Sequence, residues 1–165
     1  MDVRTYATTM ASYNRWVNGQ IFAAATARTD EERRRPIGGA FGSLHATLEH
    51  LLVTDQLWLQ RFARVPLTAH EGRGRFADFE VLRTERDATD TAIEVWASGV
   101  DEAFAGSPFT FTSLAYKRDY TMPGWAAVTH LFNHQTHHRG QAATLLRLLG
   151  HEAPLRADLP IIVAE

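Results

Sequence analysis

The chain is 165 residues long, with 45% hydrophobic and 22% charged residues and a net charge of −2, which are the proportions of one globular domain spanning residues 1–165. These values argue against disorder and against a dedicated nucleic-acid binder. Zero cysteines exclude disulfides, thiolate metal sites and cysteine nucleophiles. No apolar run reaches the roughly 18 residues needed to cross a bilayer, and no basic-then-apolar leader opens the chain, so a cytoplasmic protein with no membrane partner is expected.

The first patterned block runs from Val3 to Arg28. Tyr6, Met10, Tyr13, Val17, Ile21 and Ala24 recur every three or four residues, the stripe of an amphipathic helix. Thr29-Asp30-Glu31-Glu32 reads as a capping box opening a short helical turn that ends before Pro36. The second block, Gly42 to Arg64, is apolar on more than one side and is expected to be buried on more than one side. Val65-Pro66 stops it, and a Gly-rich loop holding His70 follows.

A third helix is predicted from Phe76 to Ser98, with Gly99 as its stop. From Gly106 to Tyr120 the alternation Phe109-Thr110-Phe111-Thr112 predicts a short strand or hairpin. The fourth helix starts near Thr121-Met122-Pro123, runs through Leu149 and stops at Gly150, and the tail to Glu165 reads as extended. The fold class is therefore all-α, a four-helix bundle with a strand or hairpin between its third and fourth helices.

Eight histidines are present, and four of them, His130, His134, His137 and His138, fall within nine residues of the fourth helix. Steps of four keep His130, His134 and His138 on one side of a helix. A His-x3-His pair stacks two imidazoles so that they converge on one transition metal, and the second helix offers His50 or His45 as a third ligand. Three histidines and an open position make the catalytic pattern of zinc, and nitrogen ligands also suit nickel or iron. The competing reading is a polar helix edge whose histidines meet carbonyls or water.

Asp55 lies on the apolar stripe of the second helix, where a carboxylate can orient a ligand imidazole or bond Tyr13, Trp16 or a backbone amide. Gln141 lies one turn beyond His137 and His138, and either lines the site or is solvated. Arg139 is expected at the surface or an interface, and Gly140 at a close helix contact. Gln135 after His134 excludes the zinc-protease motif, and no phosphate-binding glycine loop or nucleophile elbow occurs. The residues name no nucleophile or general base, so the catalytic residues stay unassigned.

The string His130-Leu131-Phe132-Asn133-His134-Gln135-Thr136-His137-His138-Arg139-Gly140-Gln141 resembles the signature of the DinB family of metal-binding four-helix bundles. Phe41 to Leu52 resembles the family's second-helix motif, and Tyr13-Asn14-Arg15-Trp16 and Gly150 with Pro154 and Asp158 are similar to it too. The resemblance implies one divalent metal held by His50, His134 and His138, zinc or nickel with iron as the alternative. It leaves His45, Asp55, His137 and Gln141 as pocket or supporting residues, with His45 the alternative ligand. It also implies a cytoplasmic homodimer. The activity it suggests is metal-dependent transfer or isomerisation with a small-molecule thiol, or hydrolysis; the alternative is a bundle that binds metal or a small ligand without turnover.

Overall fold

The computed structural model describes residues 1–67, 74–114 and 116–163; the loop histidine His70 lies outside them. Element order is α1 (Val3–Thr26), α2 (Asp30–Arg34), α3 (Leu44–Ala63), α4 (Phe79–Ser98), α5 (Glu102–Gly106), β1 (Pro108–Ser113), β2 (Arg118–Pro123), α6 (Gly124–Leu148) and α7 (Pro160–Val163). The structure is mostly helical, with a small antiparallel hairpin. The long helices α1, α3, α4 and α6 pack together, α1 and α3 each against both α4 and α6.

Local chemistry sets the boundaries. Thr29 and Glu32 form the expected capping box at α2. Asp78 caps α4, its carboxylate accepting from the amides of Glu80 and Val81, so α4 starts at Phe79 and not at Phe76. Asp101 caps α5, a helix that no periodicity in the sequence announces. At the end of α6, Gly150 takes a φ of +83° while its amide bonds to Arg147 and that of His151 bonds to Leu146, a Schellman stop. The tail departs from the extended form expected of it at α7. It is tied to α1 by paired hydrogen bonds between Gln20 and the backbone of Arg156.

The hairpin is longer than its sequence signal, because β2 continues to Pro123, which then serves as the N-cap of α6. Phe109 pairs with Met122 and Phe111 with Tyr120. These residues are buried or half-buried while Thr110, Thr112, Asp119 and Thr121 are exposed, so one aromatic face lies on the bundle. Gly124 is obligatory at the junction with α6, because a Cβ there would run into the Phe104 carbonyl. Gly140, by contrast, has nothing within 4 Å of the place a Cβ would take, so helix contact does not explain it.

Two apolar clusters fill the core. One gathers Val17, Ile21, Leu48, Leu52, Leu82 and Leu146; the other gathers Ala11, Trp58, Ile93, Val128, Leu131 and Phe132. Between them on the chain lie buried polar residues from α1, α3, α4 and α6. Arg86 and Asp55 pair at 2.6 Å, and Arg86 also reaches Asp90 at 2.8 Å. Asn14 and Asn18 donate to Asp90. Arg139 donates to Asn14 and stands over the Tyr13 ring, so it is an interior residue and not the surface residue that its helical angle suggests.

Candidate metal centre

His50 of α3 and His134 and His138 of α6 come together, each offering a ring nitrogen, with these atoms within 4.8 Å of one another. The two elements present them because α3 and α6 pack side by side and the spacing of four on α6 stacks its two rings. Ring centroids are 4.3 Å apart for His134 and His138, 4.6 Å for His50 and His138 and 5.4 Å for His50 and His134.

Burial keeps the two α6 histidines of this group neutral. Desolvation first, and then the neighbouring histidines, push the His134 imidazole down to about 3. His138 is also lowered by desolvation, against a hydrogen bond with Gln141 that favours its charged form. Neutral imidazoles are the form that binds a metal. The Nδ1 of His134 is buried without a hydrogen-bond partner, a cost that a ligand would relieve. The donor set therefore fits a divalent transition metal.

His138 is oriented from its own helix. Its Nδ1 lies 2.8 Å from Oε1 of Gln141, and Nε2 of Gln141 lies 3.1 Å from Nε2 of exposed His137. An amide oxygen only accepts, so Nδ1 of His138 carries the proton and Nε2 keeps its lone pair. Gln141 thus joins His137 to the group and is not merely solvated. Phe41 stacks on His50 at 4.1 Å and 22°, and its ring centroid is 5.5 Å from that of His138. It opens the segment that resembles the family's second-helix motif, but periodicity gives it no role. Its place follows from Gly42, whose φ of +86° turns the chain into the Ser43 cap of α3.

Two candidates lie elsewhere. His45 is buried with Nε2 donating to the Phe76 carbonyl at 2.7 Å, outside the three-histidine group. Desolvation lowers its basicity. His45 and Glu49, one turn apart, instead hold the chain at residues 74 to 76, where the Glu49 carboxylate accepts from the amides of Gly74 and Phe76. Asp55 pairs with Arg86 and with none of the partners weighed for it. Burial raises its carboxyl to about 6 despite that guanidinium. Fully buried Gln135 comes close enough to counter the rise, yet neither of its amide atoms meets a partner in hydrogen-bond geometry.

His130 continues the row on α6, its ring 6.1 Å from His134 and 4.8 Å from Trp58. As a residue it is largely exposed, but the ring against Trp58 is desolvated, and that, with Arg61, lowers its basicity.

Residues 1–160 match the profile of the DinB family. The chain belongs to the DinB family. Among the curated proteins there is no match. Membership in the DinB family and the three-histidine group are both compatible with metal binding. No helix among the described residues is long and apolar enough to cross a membrane.

Proposed function

We propose that this DinB protein is a single-domain four-helix bundle that holds one divalent transition metal on His50, His134 and His138. The convergence of three imidazoles from two helices, with His134 desolvated and neutral, carries the reading. Zinc or nickel suits three nitrogen donors, with iron the alternative. Such an ion supplies Lewis acidity, lowering the pKa of a water or thiol at an open position. The chain's own part is to keep His134 and His138 neutral, to fix His138 through Gln141 and to cover His50 with Phe41.

The reaction that suits this arrangement is transfer or isomerisation with a small-molecule thiol, or hydrolysis, in a cytoplasmic homodimer. A second reading, a binding protein without turnover, is favoured by one observation. Among the described residues, no carboxylate lines the cavity beside His50 and His134 to act as a general base.

Elemental analysis of untagged protein, purified without added metal or nickel resin, tests the metal reading beside His50→Ala, His134→Ala and His138→Ala. Near one metal per chain, lost in every variant, is expected. A wild-type protein that is empty and cannot be loaded overturns it. A thiol and ester panel then separates turnover from binding.

A further inference from the structure

Beside the histidine group lies a cavity of ≈ 550 Å³ between α3, the hairpin and α6, with His50 and His134 in its lining. Small-molecule sites usually measure about 300–1,000 Å³. Its wall is aromatic. The Trp58 and Phe111 centroids are 4.9 Å apart, and Tyr120 stacks near Phe111 at 5.9 Å and 19°. The hairpin register makes this wall, because it turns Phe111 and Tyr120 to the same face.

Among the described lining residues the formal charge is positive and is carried by Arg61. The Arg61 guanidinium stands 4.9 Å from the centroids of both Trp58 and Phe111, and exposed Arg118, outside the lining, stands 4.6 Å from that of Tyr120. Aromatic faces attract cations, and these faces already carry cations of the chain itself. No aspartate or glutamate is among the described lining residues. A cationic ligand therefore meets like charge, while an anion with a flat apolar body meets both a cation and ring surface.

We propose that this cavity binds a small aromatic carboxylate, its ring against Trp58, Phe111 and Tyr120 and its carboxylate in the positive field of Arg61 and of an ion on the three histidines. The part played by the ion rests on the function proposed above; the aromatic wall and Arg61 do not.

Isothermal calorimetry with three probes tests this: naphthoate, its neutral counterpart naphthylmethanol, and the saturated decahydronaphthoate. Each is titrated into zinc-loaded and metal-free protein, with metal content measured separately. Naphthoate is expected to bind the zinc-loaded protein about tenfold more tightly than either analogue. Phe111→Ala and the milder Tyr120→Leu are expected to remove most of the preference for the aromatic ring. In metal-free protein binding weakens, but the preference for naphthoate over its saturated analogue persists.

Equal affinity for all three probes, or no naphthoate binding to protein shown to hold zinc, overturns the inference and leaves the metal reading intact. A protein that takes up no zinc overturns the metal reading, and the ring preference of the metal-free chain then decides the cavity, its presence supporting the aromatic wall and its absence overturning it.

Discussion

Nδ1 of His138 donates to Oε1 of Gln141 across 2.8 Å, one helical turn further along α6. That bond sets which ring nitrogen of His138 faces the histidine group, and partners of this kind usually govern metal affinity. Gln141→Leu is expected to weaken zinc binding by about 10–100-fold while leaving the fold intact. Gln141→Glu keeps an acceptor at the same place and is expected to retain most of the affinity. Competition against a chromogenic chelator measures both. Equal weakening by the two variants, or by neither, would show that the acceptor does not orient the ring.

Much of this site is legible in the sequence because helix periodicity is a short-range rule. Spacing of four puts His134 and His138 on one side of α6, and it needs no knowledge of the rest of the chain. The choice between His45 and His50 is different. His45 lies nearer the flank of the main stripe on α3 and His50 off it, and only the rotation of α3 against α6 puts His50 at the group and His45 under the Phe76 carbonyl. Arg139 and Asp55 escape a reading by periodicity for a related reason. A helical wheel places Asp55 on the buried stripe but names no partner, and it puts Arg139 at the surface, whereas these side chains meet buried partners from other helices, Arg86 and Asn14. The hairpin's alternation is readable, but the cavity wall depends on the pairing of Phe111 with Tyr120, which alternation alone does not give.

Arg86 stands between two buried carboxylates, Asp55 and Asp90, and its own side chain is 1% exposed. Removing that cation leaves two carboxylates without their counter-charge in the interior. Arg86→Met is expected to lower stability by about 3–5 kcal/mol. The half-exposed pair Arg15–Glu94, at 2.9 Å, provides the comparison. Arg15→Met is expected to cost about 0–1 kcal/mol. Urea unfolding of both variants checks the contrast, and similar losses would refute it.

Two glycines of α6 should respond oppositely to alanine. At Gly124 the new methyl would meet backbone, the Phe104 carbonyl, which cannot swing aside. Gly124→Ala is expected to destabilise by about 3 kcal/mol or more as the α5–α6 junction shifts. Gly140 has open space around it in mid-helix. Gly140→Ala is expected to stabilise by about 0.5–1 kcal/mol through the lower entropy of the unfolded chain. Thermal melts of the two variants decide, and a destabilised Gly140→Ala would place an unsuspected contact there.

The Asp55 carboxyl supplies a pH test with a defined sign. Burial raises it from 3.8 to about 6 in the folded chain, the Arg86 guanidinium opposing the shift. Between these two values the folded state binds more protons than the unfolded one, so this group's contribution is present at acid pH and is lost as pH rises through about 6. Asp55→Asn keeps the shape and removes the titration. The variant forfeits the ion pair with Arg86, which sets a constant offset from the wild type. The pH-dependent part of the difference then belongs to Asp55 and to Asp90, which is also raised by burial, shares Arg86 and acts with the same sign. His45, His134 and His138, lowered by desolvation and acting with the opposite sign, are common to both proteins. Stability of the variant relative to the wild type is therefore expected to improve by about 2 kcal/mol between pH 4.5 and pH 7.5. Urea titrations at the two pH values read it directly. A gap that stays constant, or that moves in favour of the wild type, would mean that Arg86 holds Asp55 ionised throughout and that desolvation does not win at this site.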